Sequence, residues 1–288
     1  MTDHAWPPDT WVEPDRVPLD DGTVLAVRVL PAPARPFLLA HGLASNALLW
    51  RAVAYELHQR GHAVAVVDLR GHGRSDRPDH GHTTASAAHD LTTVRDALGW
   101  QDRGPVLAGQ SWGGNVVLRA THDDDRWGGV VAVDGGWIHL RPRFADFDEC
   151  WKRLAPPDFG DPPPDAVLER IGAMVADWPG DALGAIAGNL EVVDGRVRNR
   201  LARDHHREIL HSMWEDDPAD LYPRIGIPVH LIVAGAGASE DVERAMDALA
   251  HATVSWHPDA HHDIHLQQPS VVSDQLLAMV GRVEGSAG

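Results

Sequence analysis

A chain of 288 residues with 43% hydrophobic side chains can form one large α/β domain, or a domain carrying a sizeable insertion, and can bury a core. Its formal net charge of -17 argues against nucleic acid and anionic membrane surfaces as partners, because both call for clustered Lys and Arg. The one cysteine, Cys150, excludes an intramolecular disulfide framework, fits a reducing cytoplasm, and has no base beside it that would make it a nucleophile.

The opening Met1-Thr2-Asp3-His4-Ala5-Trp6-Pro7-Pro8 has neither the basic nor the apolar region of a signal peptide, and no run has the length of a transmembrane helix. The expectation is a cytoplasmic protein with a small-molecule substrate and an open oligomeric state. Asp20-Asp21-Gly22-Thr23 lies between two apolar runs and predicts an antiparallel pair over 17–30. Prolines over 31–36 break it, and Phe37-Leu38-Leu39-Ala40 reads as a buried strand ending at His41-Gly42-Leu43. Ser45 or Asn46 can cap a helix over 47–60 that stops at Gly61. A strand over 63–67 then leads into Asp68-Leu69-Arg70-Gly71-His72-Gly73-Arg74-Ser75-Asp76, followed by a helix over 84–98.

Further strands are predicted over 106–109, 129–133, 229–234 and 253–256, with helices over 240–250 and 270–280 and a frayed end over 284–288. Apolar strands alternating with helices imply a mostly parallel central sheet, covered by helices on both faces. From 137 to 223 no strand-like run is evident. Pro156-Pro157 and Pro162-Pro163-Pro164 punctuate weakly helical pieces, and Trp151, Trp178 and Trp214 suggest packing. The organisation read from this is a core over 1–136, an inserted helical lid over 137–223, and the rest of the core over 224–288.

The strand over 106–109 runs into Gly109-Gln110-Ser111-Trp112-Gly113, a G-x-S-x-G pattern at a strand-to-helix turn. Side chains at 109 and 113 would collide in so tight a turn. The strain lifts the Ser111 hydroxyl clear of the chain and leaves helix N-terminal amides free for an anion. A serine is inert until a base takes its proton. Pro258-Asp259-Ala260-His261-His262-Asp263-Ile264-His265 offers three histidines after the last strand. His261 and His265 stand four apart as helical metal ligands would, but the glutamate of H-E-x-x-H is missing and the segment reads as a loop, so no metal is expected.

His41-Gly42, Asp68 through Asp76, the turn at Ser111 and the late histidines stand in an order that resembles the α/β-hydrolase superfamily over nearly the whole chain outside the lid. The likeness is greatest to small haloperoxidase-like esterases and lactonases. It implies an α/β-hydrolase fold with Ser111 as nucleophile. His262, seven residues before Pro269, is the implied base, and the backbone N–H groups of Leu43 and Trp112 are the implied oxyanion hole. His41 and the turn over 68–76 are then structural, with Arg70 and His72 weak site candidates. The family's usual acid position after the strand over 229–234 is Ala238 here, and its usual glycine before the base is His261. Members resembling haloalkane dehalogenases place the acid after the strand that follows the nucleophile helix, which is Asp134 in this chain; Glu240 and Asp241 are the alternatives.

The implied activity is cleavage of an ester, thioester or lactone of a small, partly apolar substrate through an acyl-enzyme, with no cofactor. A carbon–carbon bond hydrolase of diketones, which shares the S-x-G-G turn, and a non-hydrolytic ligand-binding or cyclase member of the fold are the alternatives. Trp112 resembles a halide-holding dehalogenase tryptophan, but a serine nucleophile argues against dehalogenation.

Overall fold

The computed structural model describes residues 9, 11–157, 160, 162–236 and 239–286. The strands are β1 (Asp15–Pro18), β2 (Val24–Leu30), β3 (Ala34–Ala40), β4 (His62–Asp68), β5 (Val106–Gln110), β6 (Gly129–Val133), β7 (Leu190–Val193), β8 (Arg196–Asn199), β9 (Val229–Ala234) and β10 (Ala252–His257). Eight of them form one sheet in the order β1-β2-β4-β3-β5-β6-β9-β10. The pairings β1–β2 and β2–β4 are antiparallel and the rest are parallel. This is the mostly parallel α/β sheet expected from the apolar runs.

Successive side chains of a strand point to opposite faces, so a fully apolar strand feeds two cores at once. Leu38 and Ala40 of β3, Leu107 of β5, and Val130 and Ala132 of β6 enter one core, packed with helices α2 (Thr84–Ala97) and α3 (Trp112–Asp123). Phe37, Leu39, Val106, Ala108, Val131 and Val133 enter the other, under α1 (Arg51–Gln59) and the C-terminal helix. Each central strand is therefore held from both sides, and its C-terminal end is a rigid platform.

β3 begins at Ala34, earlier than the prolines suggest. Pro36 cannot donate to a ladder, and the register shifts between Ala34 and Phe37 to accommodate it. Asn46 caps the next helix, its side chain accepting from Leu48 N–H, but the first turn over 47–50 is 3-10 before α1 begins.

The stretch between β6 and β9 carries α4 (Phe147–Leu154), α5 (Pro164–Met174), α6 (Ala182–Ala187) and α7 (Arg203–Glu215). It also contains a hairpin, β7 paired antiparallel with β8, in a stretch whose sequence shows no strand-like run. The hairpin turns on Asp194 (φ 50) and Gly195 (φ 73), both left-handed, as a two-residue Asp-Gly turn requires. β9 is followed by α8 (Ser239–Ala248). β10 is followed by the single turn α9 (Ile264–Gln267) and then α10 (Pro269–Ser286), which extends through Glu284 where fraying was expected. Among the described residues no helix is long and apolar enough to cross a membrane.

Candidate active site

β5, β6, β9 and β10 run parallel, so the residues that leave their C-terminal ends gather on one edge of the sheet. Ser111 follows β5, Asp134 follows β6, and His262 lies between β10 and α9.

Ser111 holds φ 56 and ψ -124, a conformation that side-chain-bearing residues rarely adopt. The surroundings enforce it. Ser111 N–H donates to the Val133 carbonyl of the neighbouring strand (2.9 Å), and the Ser111 carbonyl accepts from Gly114 N–H (2.8 Å). A Cβ on Gly109 would lie 2.1 Å from the Gly113 carbonyl oxygen, so no side chain fits there. Ser111 is half-buried at the head of α3, with its side chain at the edge of the sheet.

Asp134 also takes a left-handed conformation, φ 44, as the chain leaves β6. Its N–H donates to Ile232 O (2.7 Å), extending the sheet by one bond. Its Oδ1 accepts from Ala234 N–H at 3.0 Å and its Oδ2 from His262 Nδ1 at 2.5 Å. One carboxylate thus spans the ends of two strands and the histidine loop, joining residues 128 apart in the chain. The bond consumes the Nδ1 proton and leaves Nε2 of His262 as the basic nitrogen. Burial works to lower the His262 pKa, but the hydrogen bond and charge of Asp134, aided by the charge of Asp263, outweigh it and raise the pKa.

The other candidates separate. Asp241 accepts from Arg143 Nη2 at 2.6 Å and faces Arg244, while Glu240 is exposed on the first turn of α8; among the described residues neither touches His262. Position 238 lies outside the described residues. His261 is exposed with its ring 4.9 Å from Trp178. His265 is in the α9 turn rather than a loop, fully buried with its ring 4.6 Å from Trp50. Burial pushes the His265 pKa down to about 3.

Trp112 and Leu43 supply the candidate anion cradle. Among the described residues neither backbone N–H donates to a protein acceptor. Gly42 brings the Leu43 loop against the serine: a Cβ there would sit 3.0 Å from Ser111 Cβ and 2.6 Å from Gln110 Oε1. Two buried imidazoles shape this loop as fixed acceptors. His41 Nε2 accepts from Leu69 N–H (3.0 Å) while its Nδ1 donates to Gly42 O (2.8 Å). His72 Nε2 accepts from Ala44 N–H (3.1 Å) while its Nδ1 donates to Arg70 O (2.9 Å). Burial lowers both pKa values, so both rings stay neutral in this role. Asp68 braces the same region, accepting from Ala47 and Arg74 N–H and from Arg28. Arg70 is a structural residue, locked in a buried two-bond pair with Asp90.

The Trp112 indole N–H donates to Thr84 Oγ1 (3.1 Å), which also receives the Ser212 hydroxyl of α7. The indole N–H is therefore committed to the packing of α3 against α2 and α7. Gln110 is marked by no sequence motif. It is a buried polar residue ending an apolar strand, which demands a partner, and its Nε2 donates to the His262 carbonyl at 3.1 Å, fixing the histidine loop beside the serine. Asn46 likewise joins the loop to the segment between β6 and β9, donating to Ala185 O (2.9 Å) and Asn189 Oδ1 (2.5 Å). Cys150 is buried, and burial raises its thiol pKa, consistent with an inert side chain.

The family model for the alpha/beta hydrolase fold matches residues 35–219. The chain belongs to the α/β-hydrolase family. Among its relatives, this α/β-hydrolase is 39% identical over 260 residues to a non-heme haloperoxidase of Rhodococcus erythropolis, covering 85% of this chain and 92% of that one. It is 35% identical over 262 residues to a non-heme chloroperoxidase of Burkholderia pyrrocinia, covering 87% and 93%. Among solved structures, E-2-(acetamidomethylene)succinate hydrolase superposes with a TM-score of 0.74 at 22% identity, covering 93% of this chain and 98% of that one. The haloperoxidase-like resemblance read from the motifs is thereby shown at the level of the family.

Proposed function

We propose that this α/β-hydrolase is a serine hydrolase that cleaves an ester, thioester or lactone of a small, partly apolar substrate. The observation that carries the reading is the 2.5 Å hydrogen bond from His262 Nδ1 to Asp134, on the same sheet edge as the strained Ser111.

In this reading the Ser111 hydroxyl attacks the substrate carbonyl as His262 Nε2 takes its proton. The Leu43 and Trp112 amides hold the developing oxyanion, each such donor contributing about 3 kcal/mol. Protonated His262 then gives its proton to the leaving oxygen or sulfur. It next removes a proton from water, which attacks the acyl-enzyme and releases the acid and free Ser111. Asp134 keeps the Nδ1 tautomer and stabilises the imidazolium throughout. The segment over 137–223 acts as a lid that shapes the substrate cleft, and no cofactor takes part.

Hydrolysis of p-nitrophenyl esters tests the proposal. Wild type is expected to turn over short and medium acyl esters and to be labelled by a fluorophosphonate, and Ser111→Ala to lose both. Full turnover by Ser111→Ala would overturn the mechanism.

A further inference from the structure

A cleft of about 430 Å³ opens between α5 and the loop that follows β3, a volume typical of small-ligand sites. One wall is a single face of α5, where Val167, Arg170, Ile171 and Met174 recur at helical spacing. Ile186 and Ala44 line it as well. Ala44 is two residues beyond Gly42, which abuts Ser111, and one beyond the candidate oxyanion donor Leu43. Two residues span at most about 7 Å. The Ala44 wall of the cleft therefore lies within about 7 Å of Gly42, the residue packed against Ser111.

Among the described residues its lining is mainly apolar and includes one cation. Arg170 is exposed, and among the described residues it has no ion-pair or hydrogen-bond partner, although the chain carries 42 acidic residues against 25 basic ones. Nearby arginines are committed. Arg77 and Arg200 face Glu191, and Arg203 lies over the Trp151 ring. Met174, one turn along from Arg170, is 55% exposed. An apolar wall with an unpaired guanidinium beside it matches a hydrocarbon chain that ends in a carboxylate, which arginine binds through two parallel N–H groups.

We propose that the cleft selects acyl groups bearing a distal carboxylate, that is, half-esters of medium-length dicarboxylic acids. The chain lies along Val167, Ile171 and Ile186, the far carboxylate meets Arg170, and the ester carbonyl reaches Ser111. Hydrolysis consumes one water and yields the free dicarboxylic acid and the alcohol. This specificity rests on the serine-hydrolase reading above.

The test compares kcat/KM for the p-nitrophenyl half-ester of suberic acid with that for p-nitrophenyl octanoate, an uncharged acyl group of the same length. Wild type is expected to favour the half-ester about five- to tenfold, and the preference should shrink with added salt. Arg170→Ala removes the preference through KM, Arg170→Lys keeps part of it, and Arg170→Glu inverts it. A ratio unchanged between wild type and Arg170→Ala, or insensitive to salt, overturns the specificity. If that occurs while Ser111→Ala is inactive on the octanoate ester, the serine reading stands and only the inference about Arg170 falls. If Ser111→Ala keeps turnover of both esters, the serine reading falls with it.

Discussion

Replacing Asp134 by asparagine tests the arrangement most directly, because the carboxylate accepts two hydrogen bonds at once. Oδ1 takes Ala234 N–H at 3.0 Å and Oδ2 takes His262 Nδ1–H at 2.5 Å. An amide has one acceptor and one donor end. If its oxygen keeps Ala234, its NH₂ faces Nδ1 and forces the proton onto Nε2, which can then no longer accept from Ser111. If it flips, a donor is set against the Ala234 donor, at about 1–3 kcal/mol for the unsatisfied group. The neutral amide also loses the attraction between carboxylate and imidazolium, about 4 kcal/mol at 4 Å and an effective dielectric of 20. Together these amount to about 5–7 kcal/mol, or a fall in kcat of roughly 10⁴–10⁵-fold. The lower end agrees with the ~10⁴ loss that the same exchange causes in serine-protease triads. The assay is p-nitrophenyl butyrate hydrolysis, with circular dichroism to confirm that the variant is folded. A folded Asp134→Asn enzyme that loses less than tenfold would refute the reasoning, and so would a larger loss in Asp241→Asn.

Other outcomes follow from the same geometry. His262 must be neutral to accept a proton, and Asp134 raises its pKa, so the acid limb of kcat/KM is expected above 6.5. Activity falls as pH drops through that limb, and a pH–rate profile with the limb below 6.5 would contradict it. Gln110→Ala frees the histidine loop and should cost about 1 kcal/mol of transition-state stabilisation, roughly fivefold in kcat, with the melting temperature reading any structural share. Gly135→Ala places a Cβ 2.0 Å from the Ser111 carbonyl oxygen and should destabilise the fold by about 3 kcal/mol or more in denaturant titrations. Burial lowers the pKa of His206 to about 4 and of His265 to about 3. The unfolded chain therefore takes up protons that the folded one refuses once pH falls below about 6.5, and each residue should remove roughly 2 kcal/mol of stability by pH 5. Melting temperatures that stay level between pH 7 and pH 5 would rule this out.

Where one physical rule governs a stretch, the sequence reveals its structure. The core strands appear as apolar runs because a parallel sheet buried on both faces requires them. Ser111 stands out because its glycine neighbours have no steric alternative. Asp134 is legible as the first carboxylate after β6, although choosing it over Asp241 needed the hydrogen bond to His262. The β7–β8 hairpin is harder to see. Its strands alternate charge with valine on an exposed ribbon, and only Asp194-Gly195 announces the turn. The 3-10 turn over 47–50 has the same cap and apolar spacing as an α-helix start, so composition does not separate them. Gln110 escapes attention because its partner is a backbone carbonyl 152 residues away. The cleft beside α5 depends on how distant segments converge, which no local pattern encodes.

The short span between Ser111 and Asp134 has a consequence for the order in which the molecule becomes competent. These two residues belong to one β5–α3–β6 unit, whose contacts are local and quick to form. His262 arrives only when β9 and β10 join the sheet and α9 and α10 close over it. On the proposed mechanism, a chain that has not yet folded its last strands would hold its nucleophile without its base, and so would one clipped before them. On the proposed mechanism, hydrolysis therefore requires that β9, β10 and the histidine loop have docked on the sheet.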